Sequence, residues 1–454
     1  MFRLPQSAPE RAARVDTSAR DLAARYATVR STTMRLVEPL SNEDCQVQSM
    51  PDASPTKWHL AHVTWFFETF VLEPGEHEFQ AFDSRFRVLF NSYYQGVGEQ
   101  HPRALRGLIT RPGLDIVKRY RAQVDERMLA LMTRAEAEGS LDDSLRDLIV
   151  LGLHHEQQHQ ELLLTDIKHA LSLGGPSPAE PTPHAIRRPM DAAPAVPLRW
   201  FSCEGGLIEL GHDPTLDGDF CFDNETPRHR AYTAPFELAS RPVNHGEWLA
   251  FIEDGGYHRP DLWLSLGWNW VQNATQGPPR EAPLYWHRRD GSWFTHTLQG
   301  TVEIDRHTPM CHLSYFEADA YARWAGARLP TEGEWELAAR QLGPLALQRA
   351  NLANRGALHP LPAIALTETA DEPVQMYGDV WEWTQSNYNP YPGYRPLPGA
   401  VGEYNGKFMC NQFVLRGGSC ATPAGHVRAS YRNFFPPEAQ WQFSGLRLAR
   451  DIGA

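Results

Sequence analysis

Leu153-His154-His155-Glu156-Gln157-Gln158-His159-Gln160-Glu161 is the stretch on which the reading of this chain turns. It lies inside an apolar-periodic segment, Asp147 to Leu173, in which Leu148, Leu151, His155, His159, Leu162 and Leu163 recur at helical spacing. His155 and His159 are four residues apart and share one helix face. That face is otherwise aliphatic, so both imidazoles point toward a core. Buried imidazoles need partners, and a metal ion satisfies two at once. The letters also match the zinc-protease pattern H-E-x-x-H. The extended pattern, however, needs Gly three residues after the second His, where Leu162 stands, and the nearest candidate for the downstream helical Glu of the gluzincin form, Glu180, falls in a proline-rich stretch. The third ligand therefore has to come from elsewhere in the chain.

Upstream, Ser54-Pro55 opens a helix through Lys57-Trp58-His59-Leu60-Ala61-His62-Val63-Thr64-Trp65-Phe66-Phe67-Glu68, with Ser54 as N-cap and Pro55 in the first turn. Trp58, His62, Trp65, Phe66 and Thr69 share a face, so His62 is a third inward imidazole. His59, at the edge of that stripe, is its rival, and His62 is favoured because it lies more centrally. Two further helices are expected at Ser18 to Leu36 and at about Leu114 to Ala137. Between Glu73 and Pro112 helical signals are few, and a long crossover of this kind is usually functional. It carries Phe90-Asn91-Ser92-Tyr93-Tyr94-Gln95-Gly96 and His101-Pro102-Arg103-Ala104-Leu105-Arg106. Four helices with one long crossover predict a bundle with a metal site between facing helices.

At 454 residues the chain exceeds one ordinary core, and two domains are the expectation. The domains read as 1–173, helical; 174–197, a Pro/Ala-rich linker or an arm that wraps the second domain; and 198–454, an α+β domain. In the last, Gly, Trp and short β-like runs (206–211 and 412–419) are interrupted by helices at Asn244 to Glu253 and Tyr315 to Trp324. A net charge of −12 argues against a nucleic-acid partner and against an anionic membrane surface. No apolar run reaches spanning length, and Met1 to Arg14 lacks an apolar signal core, which predicts a cytoplasmic protein. Six scattered cysteines without C-x-x-C fit neither a disulfide scaffold nor a zinc ribbon. The acidic loop Asp213 to Asp219 lacks EF-hand spacing, so a solvated turn is a better reading than a calcium site.

Five motifs in the second half carry a resemblance: Asp223-Asn-Glu-Thr-Pro-Arg-His229, Leu329-Pro-Thr-Glu-Gly-Glu-Trp-Glu336, Gly378-Asp-Val-Trp-Glu-Trp-Thr384, Leu415-Arg-Gly-Gly-Ser419 and Gly445-Leu-Arg-Leu448. They resemble the formylglycine-generating-enzyme type of C-type-lectin fold, and the first half resembles a DinB-like four-helix bundle. This fusion, with Leu-Ala-His62 and His155-Glu-Gln-Gln-His159, resembles the EgtB family of iron(II)-dependent sulfoxide synthases of ergothioneine biosynthesis. The resemblance implies O2-dependent joining of a thiol, cysteine or γ-glutamylcysteine, to imidazole C2 of hercynine (trimethylhistidine), giving a sulfoxide. It implies His62, His155 and His159 as ligands of Fe(II). Three imidazoles on one side of a six-coordinate iron leave the opposite positions open. The ligands alone suit zinc equally, so the redox metal rests on the resemblance.

Actinobacterial members carry Arg-Asn-Trp-Asp-Tyr-Pro and a later Arg, and use γ-glutamylcysteine. Here Phe435 stands at the Asp position and Ala439 at the Arg position, in Arg432-Asn433-Phe434-Phe435-Pro436-Pro437-Glu438-Ala439. That dipeptide clamp is missing. The Tyr93-Tyr94 pair instead resembles the second EgtB type, which implies a catalytic role for at least one tyrosine as proton donor to reduced oxygen. The resemblance also implies Gln158 against the substrate imidazole and Asn433, with Phe434, at the hercynine end. Tyr391 and Tyr394 are candidates for an aromatic wall around the trimethylammonium group, or else core aromatics of a Trp-rich domain. Arg103, Arg106 and Arg111 are candidates to pair with substrate carboxylates, or else belong to a solvated loop. A selenoneine synthase (SenA type), joining a selenosugar to hercynine, is an alternative within the chemistry. A zinc-dependent thiol transferase is an alternative outside it.

Overall fold

A computed structural model of the chain describes residues 19–174, 196–272, 278–343, 345–364 and 372–452. Most of the expected linker, 174–197, lies outside the described residues, as does the start of the chain. The first half is built on four long helices: α1 (Ala19–Val37), α2 (Thr56–Phe67), α3 (Leu114–Glu138) and α4 (Asp143–Ser172). Helices α1 and α2 each pack against both α3 and α4, which closes the expected bundle. Helix α4 begins four residues before its apolar periodicity, because Asp142 caps it by accepting from Leu145 N at 2.8 Å. Gly139, at φ 64°, ends α3 and turns the chain back.

Ser54 is not the N-cap of α2. That position is taken by Pro55, whose missing N–H needs no partner. The Ser54 side chain instead accepts from Arg106 Nη1 at 2.9 Å, and its backbone N–H donates to Asp166 at 2.7 Å. The end of α2 also differs from expectation. It continues as a π-helical turn, Glu68–Leu72, anchored where Tyr120 donates to Glu68 at 2.6 Å. All twelve residues of α2 are buried, so this helix is the centre of the bundle rather than one of its faces. Gly152 of α4 makes the approach possible. A Cβ there would stand 2.6 Å from the Phe67 ring and 2.9 Å from the Phe66 ring, so any side chain would push the two histidine-bearing helices apart.

The second half holds small sheets joined by loops. Strands β1 (Trp200–Cys203), β2 (Phe236–Ala239) and β7 (Ala449–Asp451) form one sheet in the order β1-β2-β7. Strands β3 (Trp381–Asn387), β4 (Phe413–Arg416), β5 (Asn433–Phe435) and β6 (Ser444–Gly445) form another in the order β5-β4-β3-β6. Two of its helices match the sequence reading closely, and both start at capping boxes: His245–Glu253 with Asn244 and Glu247, and Tyr315–Trp324 with Ser314 and Glu317. Asp213 and Asp217 of the acidic loop are ion-paired, with Arg228 and Arg340 respectively. Their charge is thus already compensated by protein.

Helix α4 is the spine of the molecule, because its far face docks on the second half. Glu161, buried, accepts from Trp381 Nε1 at 2.8 Å, Thr422 Oγ1 at 2.8 Å and Ser419 Oγ. Trp381 and Ser419 belong to the Gly-Asp-Val-Trp and Arg-Gly-Gly-Ser segments, and Thr422 follows three residues after the second. Burial raises the Glu161 pKa against the pull of these three hydrogen bonds.

Candidate metal centre and its cavity

His62 on α2 and His155 and His159 on α4 each offer a ring nitrogen, and these atoms lie within 4.8 Å of one another. Among the described residues no other group of three or more His, Cys, Asp or Glu side chains is gathered in this way. The His62 ring is held between two indoles, stacked on Trp58 at 4.5 Å and on Trp65 at 5.6 Å. Its Nδ1 lies 2.6 Å from the Phe90 carbonyl oxygen. A carbonyl accepts only, so Nδ1 carries the proton and Nε2 keeps its lone pair. That Nε2 faces His155 Nε2 at 3.2 Å.

The orientation of His159 follows from its neighbour. Asp166 accepts from His59 Nε2 at 3.0 Å, which leaves His59 Nδ1 as an acceptor. His59 Nδ1 lies 2.8 Å from His159 Nδ1, so His159 donates from Nδ1 and its Nε2 is left with a lone pair. His59, the rival third ligand, is thus turned away from the cluster. It completes a carboxylate–imidazole–imidazole chain of the kind that sets tautomer and ring angle behind metal ligands.

Burial lowers the pKa of all three clustered histidines, with neighbouring imidazoles adding to the effect at His62 and His159. For His155 the value falls to about 4. Uncharged imidazoles with convergent lone pairs suit a divalent transition metal. In His59→Leu or Asp166→Asn, metal affinity is expected to fall about 10–100-fold, the usual cost of removing such a partner, and equilibrium competition with a chromophoric chelator measures it.

Glu156 closes the protease alternative. It is fully buried about 100° around α4 from His155, where Arg30 Nη1 (2.9 Å), Thr33 Oγ1 (2.6 Å) and Arg121 Nη2 all donate to it. Burial alone would raise its pKa, but the Arg121 and Arg30 charges overcome this and hold it at about 2. It is the anchor of an ion cluster and is not available as a general base at the metal.

The cluster opens into a chamber of about 50 Å³, lined also by Trp58, Tyr93, Arg103, Arg106 and Asp166. This chamber shares Tyr93, Arg103, Leu162, Tyr404, Phe435 and Trp441 with a cavity of about 280 Å³ between the two halves. Gln158, Asn433 and Phe434 line that larger cavity. Tyr93 stands at the junction, with Arg103 Nη1 donating to its hydroxyl at 3.2 Å. Tyr94 is buried between Trp65 and Phe70 and borders a third small chamber with His155 and Gln158. Arg106 is buried with its guanidinium 3.4 Å over the Trp58 ring. Burial lowers its pKa to about 9, and among the described residues no carboxylate forms an ion pair with it.

Three expectations fall elsewhere. Tyr391 is buried in an ion network, hydrogen-bonded to Glu332 at 3.3 Å and accepting from Arg416 at 3.1 Å, with the Arg432 guanidinium 4.0 Å over its ring. Tyr394 donates to Asp223 at 3.2 Å. Neither lines the cavity, because acidic partners hold both hydroxyls in the domain interior. Arg111 is exposed and also outside the lining. The aromatic wall consists instead of Phe222, Trp381, Tyr404, Phe408, Tyr431, Phe434, Phe435 and Trp441. Most of these the sequence reading did not single out, because they come from loops with no common periodicity. Phe435, at the position of the missing clamp acid, is part of this wall, and Ala439 is buried.

Comparison with known proteins agrees with this architecture. The model of the DinB superfamily matches residues 25–163, and that of the sulfatase-modifying factor enzyme 1-like domain matches residues 199–452. The chain is 35% identical to a hercynine oxygenase of Mycolicibacterium smegmatis over 95% of this chain and 99% of that protein. It is 34% identical to the hercynine oxygenase of Mycobacterium tuberculosis over 96% and 100%. Ergothioneine biosynthesis protein 1 of Schizosaccharomyces pombe is 27% identical over 51% of this chain and 28% of that protein. With both domain models in order and similarity along almost its whole length, the chain belongs to the hercynine oxygenase (EgtB-type) family.

Proposed function

We propose that this protein joins a thiol, cysteine or γ-glutamylcysteine, to C2 of the imidazole of hercynine, using O2, in ergothioneine biosynthesis. The observation that carries the reading is a three-imidazole cluster opening into an aromatic cavity between two domains. The reaction balances without a further reductant. The thiol S–H and ring C–H bonds are replaced by a C–S bond, one oxygen atom becomes the sulfoxide, and the other leaves as water. Iron(II), held by His62, His155 and His159, supplies the one-electron steps that O2 requires.

The chain's own residues do the rest. The indole, phenol and phenyl faces of Trp381, Tyr404, Phe434 and Phe435 suit a trimethylammonium group, which binds aromatic faces by cation–π attraction. Arg106, a buried cation without an acidic partner among the described residues, and Arg103 beside it suit a substrate carboxylate. Tyr93, at the junction of chamber and cavity, suits proton donation to reduced oxygen, and Tyr94 borders the His155 ring from the other side. Phe435 and Ala439 put apolar surface where the dipeptide clamp is missing.

The test is incubation of the iron-loaded protein with hercynine and, in separate arms, cysteine, γ-glutamylcysteine or a selenosugar. Mass spectrometry of the products follows. A hercynine–thiol sulfoxide in one of the first two arms supports the reading. Product only with the selenosugar makes the protein a selenoneine synthase, and turnover of thiol with zinc but without O2 makes it a transferase. In Tyr93→Phe/Tyr94→Phe the sulfoxide is expected to fall and thiol dioxygenation to rise. Wild-type product ratios in that variant remove the tyrosines from the chemistry.

A further inference from the structure

The loop that carries Tyr93 and Tyr94 belongs to the first half of the chain, yet the second half grips it. Its single turn Gln95–Val97 presents two backbone N–H groups, and Glu403 takes both. Gln95 N donates to Oε2 at 2.9 Å and Gly96 N to Oε1 at 2.8 Å. Lys407 donates from Nζ to the Tyr93 carbonyl and lies 3.5 Å from the same carboxylate. The Tyr93 ring meets the Phe408 ring in a T, with centroids 4.9 Å apart. The fit is close at Gly96, where a Cβ would stand 3.0 Å from Glu403 Oε1 and 3.3 Å from Ala400 Cβ.

The gripping segment is itself moored. Asp223, in the first of the second-half motifs, accepts from Asn405 Nδ2 at 2.6 Å, from Leu397 N at 3.3 Å and from the Tyr394 hydroxyl at 3.2 Å. Those contacts fix the chain on both sides of Glu403. Within the loop, Asn91 holds Tyr94, donating to its carbonyl at 3.0 Å and accepting from its N–H at 3.2 Å. Tyr93 is held from across the interface instead. A carboxylate that accepts two consecutive N–H groups fixes the orientation of a turn, and charge-assisted bonds of this kind are about twice as strong as neutral ones. Burial alone would raise the Glu403 pKa, but the two N–H groups and the Lys407 charge overcome this and lower it.

We propose that Glu403 and Lys407 are positioning residues for Tyr93. The second domain reaches across the interface and sets where the phenol stands, at the junction of chamber and cavity. Proton donation is thereby tied to docking of the two halves, which also closes the cavity. Neither Glu403 nor Lys407 is in the lining of chamber or cavity, so both act through the loop backbone. This rests on the reading of Tyr93 as proton donor above and deepens it.

The experiment uses the full-length, iron-loaded protein with hercynine, O2 and, in separate arms, cysteine or γ-glutamylcysteine. Mass spectrometry reads two quantities, hydrogen exchange in the peptide spanning 90–97 and the ratio of sulfoxide to dioxygenated thiol. In Glu403→Ala exchange in that peptide is expected to rise and the ratio to fall about tenfold, since misplacing a reacting group by about 1 Å costs up to about 100-fold. Iron content is expected to stay the same. Glu403→Gln, whose one carbonyl oxygen still accepts, is expected to fall between, and Lys407→Met to move the ratio the same way. On top of Tyr93→Phe, Glu403→Ala is expected to change the ratio no further. Unchanged exchange overturns the proposal, and so does faster exchange with an unmoved ratio, which would make Glu403 a brace alone. A further fall on top of Tyr93→Phe, or a loss of iron that matches the loss of product, overturns it as well. If the unaltered protein forms no sulfoxide with either thiol, the reading above fails and takes this proposal with it. Sulfoxide from the unaltered protein and an unmoved ratio in Glu403→Ala overturn this proposal alone.

Discussion

Alanine at His155 is expected to abolish tight metal uptake and, with it, all product formation. The imidazole sits at the middle of the cluster, with its Nε2 3.2 Å from that of His62 and its ring 4.7 Å from that of His159. Two remaining imidazoles on different helices do not make a closed chelate. Asp166, one of two carboxylates in the chamber lining with Asp52, accepts from His59 and from the Ser54 N–H through its Oδ2. The same loss is expected for His62→Ala and His159→Ala. Inductively coupled plasma mass spectrometry after dialysis reads the metal, and product mass reads turnover. The variants should keep their fold, because the ion cluster beneath α4 is separate from the triad. A His155→Ala protein that retains full metal content and activity would remove this site from the mechanism.

The second large effect is on stability and falls one residue away. Glu156→Gln leaves Arg30 and Arg121 buried, at 3% and 2% exposure, with their shared anion gone. Removing one partner of a buried ion cluster costs about 3–5 kcal/mol. For a helical domain of this size that is a fall in melting temperature on the order of 10 °C, measurable by circular dichroism. The pH dependence has a definite sign. The Glu156 pKa drops from 4.5 to about 2 on folding, so its contribution is fully present above about pH 4.5 and is lost as pH falls toward 2. Glu156→Gln is therefore expected to be least stable relative to wild type near neutrality and to converge with it under acid. A constant gap at all pH values would mean the glutamate acts by packing alone.

These two neighbours illustrate what the sequence made legible. His155 and Glu156 lie about 100° apart around one helix, and a period of 3.6 residues is enough to separate a ligand from an anchor. The same periodicity marks His62, and it places α1, α3 and α4 to within a few residues. It does not distinguish His62 from His59 by role, because both are buried. Only the contact of His59 with Asp166, 107 residues later, shows that His59 acts from behind His159.

The cavity wall was largely illegible for a related reason. Trp381, Tyr404, Tyr431 and Trp441 come from a strand and several loops that share no local pattern, so their convergence is a property of tertiary packing. Tyr391 and Tyr394, in a Tyr-Pro-Gly-Tyr turn, read equally as wall or as core aromatics, and Glu332 and Asp223 draw their hydroxyls into the interior. Ser54 shows the same override on a smaller scale. Its local chemistry is that of a helix cap, but a buried guanidinium and an aspartate compete for it and win.

The central claim is that imidazoles from two helices grip one metal ion at the end of the interdomain cavity. X-ray absorption at the iron edge of the Fe(II)-loaded protein tests it most directly. The expected spectrum carries the scattering pattern of three imidazole rings, loses one ring in His62→Ala, and changes when hercynine is added. A shell of oxygen scatterers alone, or a spectrum unaltered in His62→Ala, would contradict the account.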